Sequence, residues 1–173
     1  MDPAGTVDAD ALRPLFEAAS WAASSGNLQP YRYLLGRRGS ATFERIFGVL
    51  KPRNQQWTRA AAALALGIAV TADDDGRPLP YARYDLGQAT AQLALQAVAG
   101  GLVVHQMAGF LPDAASAEFG LPPHHEPAVA IAIGVLGTPD ALPEDLRVRE
   151  ARPRRRRPLA ETVFDGDYHT PAF

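Results

Sequence analysis

Apolar residues recur along the chain at helical spacing and predict five helices. The first contains Leu12, Leu15, Phe16 and Ala19 and ends near Trp21; the second contains Phe43, Ile46, Phe47 and Leu50 and is broken by Pro52; a short third follows Asn54 and carries Trp57; the fourth runs from Tyr84 to Ala99; and the fifth lies near Asp113 to Phe119. Asp8 or Asp10 can cap the first helix, which places Pro14 in or near its first turn, where a missing N–H does least harm. Gly100 and Gly101 stop the fourth helix.

Shorter apolar runs between these helices predict four strands: Tyr31 to Leu35, Leu64 to Thr71, Leu102 to Met107, and Ala128 to Leu136. The second of these strands has no polar face, so we expect it to be buried on both sides.

From Gly137 onward the composition shifts to Pro, Arg and Glu, which predicts a surface arm. The strands and helices alternate without the regularity of repeated βαβ units.

Composition restricts the class of protein. The chain has 173 residues, 47% of them apolar and 21% charged, which fits a single globular domain. Its formal net charge of -2 argues against a protein that binds nucleic acid or anionic membranes. There are no cysteines, which excludes disulfides, thiolate nucleophiles and cysteine-ligated metals. The longest apolar run, Ala60 to Val70, is far below the roughly 20 residues of a membrane span. With no signal-peptide pattern over Met1 to Asp10, we expect a soluble, cytoplasmic protein without a membrane partner.

One loop stands out for its chemistry. The segment Ser24 to Pro30 carries two hydroxyls, a glycine and two amides at the end of a predicted helix. Such groups supply hydrogen-bond donors and acceptors with little bulk, as a planar heterocyclic ligand requires. Composition alone leaves a second interpretation open, a solvated connection between a helix and a strand.

Other candidate groups are weaker. The basic run Arg154 to Arg157 suits phosphate binding, and its alternatives are a solvated charge run or a nucleic-acid contact. His105 lies on an apolar strand and is expected to be a packed structural residue rather than a base. His124 and His125 lack a third spaced ligand, so no metal site is predicted. Trp57 and Phe110 could line a pocket or belong to the core.

Five separated blocks of this sequence closely resemble the signature segments of the nitroreductase family, and they occur in the family's order between about Leu12 and Phe173. The blocks are Ala22 to Tyr33, Asn54 to Trp57, Tyr84 to Ala89, Gly101 to Phe110, and Arg154 to Glu161. Any one block alone would be a weak signal, whereas five in order are not explained by chance.

The resemblance implies a fold and an assembly. We expect an α+β sandwich in which a mixed, mainly antiparallel sheet lies between helical layers. Residues 1–173 would form a single domain, in which residues 1–10 are disordered or form a short segment and residues 150–173 form an arm exchanged across a homodimer. The alanine-rich helix Tyr84 to Ala99 is expected at the dimer core.

The resemblance also assigns residues to an FMN site. They are Ser24, Ser25, Asn27, Gln29, Asn54, Ala108, Gly109, Arg154 and Arg156. In the family, the serine-asparagine loop reaches the flavin from the partner subunit, and Gln29 lies in the same loop. Asn54 matches the residue that hydrogen-bonds the pyrimidine side of the ring, and Ala108 and Gly109 match the backbone that faces flavin N5. Arg154 and Arg156 match the basic pair that contacts the phosphate.

The implied activity is that of an FMN-dependent oxidoreductase. Hydride would pass from NADH or NADPH to the flavin and then, by a ping-pong scheme, to a nitroaromatic, a quinone or a similar conjugated acceptor. No side chain is assigned as catalytic acid or base. Family members usually carry Arg-Arg-Ser-x-Arg before the first helix, but Met1 to Asp10 contains no arginine, and Gly166 to His169 departs from the usual Gly-x-Trp-Gly. These departures leave an alternative open, a flavin-poor binding or regulatory protein.

Overall fold

The computed structural model describes residues 1–173, with the side chain at position 141 left out. Contacts divide the chain into two compact units, Met1–Ala141 and Leu142–Phe173. The first unit contains α1 (Ala9–Ser20), β1 (Tyr31–Arg37), α2 (Ala41–Gly48), α3 (Pro52–Thr58), β2 (Ala63–Val70), α4 (Ala82–Ala99), β3 (Val103–Met107), α5 (Pro112–Phe119) and β4 (His125–Gly134). The second unit contains α6 (Glu144–Glu150). None of the helices so described is both long enough and apolar enough to cross a membrane.

The four strands form one sheet in the order β1-β2-β4-β3. All three pairings are antiparallel, with Tyr31 opposite Ala69, Ala63 opposite Ile133, and Val103 opposite Gly134. Helices cover both faces of this sheet, so the predicted α+β sandwich is confirmed. Its central strands, β2 and β4, are the two most apolar runs of the sequence.

The two faces of the sheet differ in side-chain size. On β2, Ala63, Ala65 and Ala69 pack with α1 and α4 in one buried cluster. Leu64 and Leu66 point the other way, into a second cluster with α2 and α5. Because successive side chains of a strand alternate between faces, the small residues let α4 approach closely on one side while leucines fill the other.

β4 begins three residues earlier than the sequence predicts, at His125 rather than Ala128. The sequence argues against this extension because Pro127 has no N–H for a sheet ladder. In the structure, Pro127 lies opposite Ile68, where the register shifts between Gly67 and Ile68, and this part of β4 extends beyond β3. Because the register shifts here and β3 does not pair with this part of β4, the sheet does not need a hydrogen bond from the nitrogen of Pro127.

α3 starts earlier than predicted, whereas α1 starts where one of its two predicted caps places it. The Asp8 carboxylate accepts a hydrogen bond from the Ala11 N–H at 2.8 Å, so α1 begins at Ala9 and Pro14 lies in its second turn. The proline leaves the carbonyl of Asp10 without an intrahelical partner, but that residue is exposed and water can serve it. α3 starts at Pro52, which occupies the first helical position, where a missing N–H costs nothing.

The chain before α1 is held in place. The Asp2 N–H donates to the carbonyl of Val135 at 2.9 Å, and the side chain of Val7 is 8% exposed. In the second unit, Phe164 forms an isolated antiparallel bridge with Pro171, and its ring centroid lies 4.8 Å from that of Tyr168. The exchange of this unit between subunits stays a prediction.

Gly36 provides a test of how closely α2 lies on β1. A Cβ at this position would lie 2.2 Å from the backbone N of Phe43, whereas a Cβ on Gly48 at the end of α2 would meet nothing within 4 Å. We expect Gly36→Ala to destabilise the fold by on the order of 3 kcal/mol, because backbone cannot swing aside as a side chain can. Gly48→Ala should be neutral or stabilise by about 0.5–1 kcal/mol. Urea denaturation of both variants measures the difference, and equal stabilities would contradict this packing.

Candidate functional site

The loop between α1 and β1 has a strained backbone. Residues Ser25–Asn27 form a single 3-10 turn, and three positions adopt positive φ: Gly26 at 59°, Asn27 at 56° and Gln29 at 48°. The left-handed conformation is available to glycine and tolerated by asparagine, but it is unfavourable for glutamine. Strain of this kind persists only where the surroundings impose it, and it concentrates at ligand sites.

Local hydrogen bonds within the loop fix this conformation. The Gln29 N–H donates to the Ser24 hydroxyl oxygen at 3.0 Å, and the Gln29 side-chain amide donates to the Asn27 side-chain oxygen at 3.2 Å. The Arg32 guanidinium closes the end of the loop by donating to the carbonyl of Gln29 at 3.0 Å. The side chains of Ser25, Asn27 and Gln29 are exposed, so the loop presents hydroxyl and amide groups to the outside.

Two side chains of α4 tie the loop to the body of the first unit. The Ser25 N–H donates to a carboxylate oxygen of Asp85 at 3.1 Å, and the Gln88 side-chain amide donates to the carbonyl of Ala23 at 3.4 Å. Asp85 is 2% exposed. From the sequence, Asp85 belongs to the Tyr84 to Ala89 block but receives no role, although an acid within the apolar stripe of the predicted helix is a visible signal.

A second group of predicted residues meets around Gly109. The Asn54 side-chain amide donates to the carbonyl of Gly109 at 2.9 Å, and the Lys51 backbone N–H donates to the same oxygen at 2.9 Å. A Cβ on Gly109 would lie 2.4 Å from the Asn54 side-chain nitrogen, so this contact requires glycine. The structure therefore joins Asn54 to the Ala108-Gly109 backbone.

The surroundings of this second group combine a backbone donor with aromatic side chains. Over the described part of the chain, no acceptor pairs with the Gly109 N–H. Trp57, one turn after Asn54 on α3, makes an edge contact with His105, with ring centroids 4.8 Å apart. Phe110 is 3% exposed and belongs to the core rather than to a pocket wall.

The two groups lie on opposite sides of the sheet. The Ser24–Gln29 loop adjoins α4, on the face of the alanine side chains, and leads into edge strand β1. Asn54 on α3 and Gly109, which follows edge strand β3, adjoin the leucine face. Three strand spacings, about 14 Å, separate the two edges. Within one chain, these groups therefore do not face a common ligand.

The predicted phosphate ligands Arg154 and Arg156 belong to the second unit. Both residues are exposed, and the Arg156 guanidinium donates to the carbonyl of Arg155 at 2.9 Å. Arg157 lies 3.5 Å from the carboxylate of Glu161, a surface pair of little energetic value. The side chains of Arg154 and Arg156 thus have exposed donors that an anion can reach.

A groove of the first unit lies elsewhere. It has a volume of about 630 Å³ between α1 and the free edge of β1, and it is lined by Leu12, Arg13, Phe16, Leu35, Arg37 and Ser40, among others. None of the nine residues assigned to the flavin site lines this groove.

Comparison with known proteins identifies relatives of the chain. A sequence model of the Nitroreductase family matches residues 2–135. A 15.4 kDa protein from the 5′ region of ask in Mycolicibacterium smegmatis, which is described as uncharacterized, is 37% identical over 148 residues, covering 81% of this chain and 99% of that protein.

Solved structures share the fold. An oxidoreductase containing FMN is 30% identical, superimposes with a TM-score of 0.91, and the match covers 96% of this chain and 85% of that one. A nitroreductase family protein from Clostridium difficile 630 is 23% identical with a TM-score of 0.69, and the match covers 91% and 86% of the two chains. The second likeness concerns the fold alone.

The Asn54–Gly109 contact predicts coupling between the two residues. We expect Gly109→Ala to cost about 1–3 kcal/mol in the wild-type background, because the new methyl group collides with the Asn54 amide. In an Asn54→Ala background the collision is absent, so the same substitution should cost less than about 1 kcal/mol. A double-mutant cycle measured by urea denaturation gives the coupling free energy. Additive costs would show that the two groups do not touch.

Proposed function

This chain belongs to the nitroreductase family, and from that membership we propose that it is an FMN-dependent oxidoreductase that transfers electrons from NADH or NADPH to a conjugated organic acceptor. The observation that carries the proposal is the joining of Asn54 to the Ala108-Gly109 backbone. These residues are separated by 55 positions in the sequence, yet they meet at the place where the family resemblance puts the flavin ring.

The residues present fit such a cofactor. A flat heterocycle needs a surface without side-chain bulk, and Gly109 supplies it while leaving its N–H free to donate. Asn54 holds one edge of this surface with an amide that can both donate and accept. The exposed hydroxyl and amide groups of Ser25 and Asn27 match a ribityl chain and a pyrimidine ring, and the guanidinium groups of Arg154 and Arg156 match a phosphate.

FMN, when bound, would supply the redox chemistry, accepting hydride from the nicotinamide donor and passing electrons to the acceptor in a second, ping-pong step. The protein's own contribution is then orientation and electrostatics. The Gly109 N–H provides a fixed donor, and Asn54 holds the backbone that carries it. No side chain of the chain is assigned to proton transfer.

A homodimer follows as part of the proposal. The sheet separates the Ser24–Gln29 loop from Asn54 and Gly109, so a ligand that uses both groups must take one from each of two subunits. The outer face of α4 supports an interface, because Leu95 is 71% exposed and Val98 is 67% exposed on a helix otherwise rich in alanine. The arm of residues 150–173 would cross to the partner in the same assembly.

The acceptor class is proposed from the local side chains. Trp57 lies one turn after Asn54 on α3 and packs edge-on against His105, so both aromatic groups would lie near the proposed flavin. Aromatic groups favour flat, conjugated partners, so a nitroaromatic, a quinone or a related electrophile is the expected acceptor.

Reconstitution tests this function. Purified protein incubated with excess FMN and then desalted should retain one flavin per subunit, show flavin absorbance bands, and oxidise NADH or NADPH when a quinone or a nitroaromatic is supplied. Sedimentation of the same sample should give the mass of a dimer. The matched control is Gly109→Ala, which should lose turnover while remaining folded by circular dichroism.

A colourless protein without turnover, at FMN concentrations up to the millimolar range, would contradict the proposal. That result would favour a flavin-poor member of the family that binds another ligand. The absence of arginine from Met1 to Asp10 is the reason for examining this outcome directly.

The phosphate assignment makes a separate prediction. Replacing both Arg154 and Arg156 with alanine should weaken FMN binding by about 10²- to 10⁴-fold, because each charge-assisted hydrogen bond contributes roughly 1.5–3 kcal/mol. Binding of riboflavin, which has the same ring and chain but no phosphate, should be unchanged. Fluorescence titration of both ligands measures the difference.

The neighbouring arginines provide the control for this prediction. Arg155 and Arg157 carry the same charge and alternate along the chain with the two predicted phosphate ligands. The Arg155→Ala, Arg157→Ala variant should therefore change FMN affinity by less than about tenfold, through general electrostatics alone. Equal losses in the two double variants would show that the run acts only by its summed charge.

A further inference from the structure

Asp85 is a buried acid whose burial calls for a reason. Asp85 is only 2% exposed and lies on the face of α4 that packs against α1 and the sheet. Removing a carboxylate from water is costly unless fixed donors replace the lost hydration. Over the part of the chain that the structure describes, no arginine, lysine or histidine forms an ion pair with it.

The groups that do face Asp85 are backbone donors. Its carboxylate accepts the Ser25 N–H at 3.1 Å, which is the first N–H of the loop's 3-10 turn. Asp85 also lies in the first turn of α4, where the unpaired N–H groups of a helix favour negative charge. The carboxylate thus joins the start of the loop's 3-10 turn to the first turn of α4.

A neighbouring tyrosine places Asp85 at the junction of three elements. The hydroxyl of Tyr31, the first residue of β1, donates to the carbonyl of Ser20 at the end of α1 at 3.3 Å. Burial and then the nearby negative charge of Asp85 raise the pKa of this hydroxyl. The elements on either side of the loop, α1 and β1, are thus fixed to each other at the point where Asp85 holds the turn between them.

We propose that Asp85 is a positioning residue, which holds the Ser24–Gln29 loop in the conformation that binds the flavin and couples that loop to α4. The inference rests on the proposed function, because it assigns the loop a flavin to bind. It goes beyond the resemblance, which assigns flavin contacts to loop residues and none to α4.

The backbone of the loop explains why an external tie is needed. Asn27 and Gln29 are held at positive φ, so the loop taken alone would relax toward ordinary conformations. The internal hydrogen bonds between Ser24, Asn27 and Gln29 move with the loop and cannot fix its place on the protein. Among the residues that the structure describes, Asp85 and Gln88 are the side chains that bind its start from outside, and both belong to the helix proposed for the dimer core.

Three variants test the proposal. Asp85→Ala removes the acceptor, Asp85→Asn keeps an oxygen acceptor without charge, and Gln88→Ala removes the weaker second tie. Thr90→Val is the matched control, because Thr90 is also buried on α4 and hydrogen-bonded, but its partners are the Tyr33 hydroxyl and the Leu86 carbonyl rather than the loop.

The first readout needs no flavin. Amide hydrogen exchange of the flavin-free protein should increase at residues 24–29 by about tenfold or more in Asp85→Ala, since a hydrogen bond to a charged acceptor is lost. Asp85→Asn should stay within about threefold of wild type. Thr90→Val should leave exchange in the loop unchanged even though its melting temperature falls.

The second readout is affinity for FMN. Asp85→Ala should raise the dissociation constant by about 10- to 100-fold, Asp85→Asn by much less, and Thr90→Val not at all. If the Asp85 carboxylate only stabilised the fold, Asp85→Ala would lower the melting temperature. Hydrogen exchange in the loop and affinity for FMN would then match those of Thr90→Val. If Asp85→Ala fails to fold, Gln88→Ala must increase hydrogen exchange in the loop and raise the FMN dissociation constant in the same way, by smaller factors.

Failure of this inference and failure of the proposed function give different results. If wild-type protein takes up no FMN while the loop still loosens in Asp85→Ala, the proposed function is wrong and Asp85 still positions the loop. If wild type binds FMN and the loop variants match Thr90→Val, the function stands and the role of Asp85 is overturned. An Asp85→Asn variant as impaired as Asp85→Ala would also overturn it, because rescue by a neutral acceptor is its specific requirement.

Discussion

Burial of the central strands on both faces is the constraint from which the rest of this structure follows. β2 and β4 carry almost no polar side chains, so neither face of the sheet can be left to solvent. Helices must cover both, and the alternation of alanine with leucine on β2 decides how closely each layer lies. The chain therefore cannot gather all its polar loop groups on one side. The loop that follows α1 is on the alanine face, and the segment that follows β3 is on the leucine face.

The long elements could be predicted from the sequence because their pattern and their packing agree. The helix predicted over Tyr84 to Ala99 differs from α4 by two residues at its start and none at its end, and the strand predicted over Leu64 to Thr71 differs from β2 by one residue at each end. The early starts of α3 and β4 involve prolines, and α1 contains a proline in its second turn. Rules for Pro14, Pro52 and Pro127 describe an average context, whereas an exposed carbonyl, a free first helical position and a register shift each made the proline harmless here.

Only part of the candidate site could be predicted from the sequence. The resemblance named Asn54 and Gly109, and the structure joins them through a contact that nothing in their local sequence specifies. It assigns no role to Asp85, because a single acid in a helix carries no sequence signature of its partner 60 residues away. Local pattern predicts elements, but a hydrogen bond between distant segments depends on the packed tertiary structure.

Lys51, whose backbone N–H binds the carbonyl of Gly109, is the chain's sole lysine, and it is exposed. Its ammonium group is thus the one lysine target for acylating reagents, and it lies three residues before Asn54. A fluorophore or a spin label attached there would report on this corner of the protein without any engineered substitution. The arginine-rich composition thereby leaves the protein with a natural attachment point beside its candidate ligand surface.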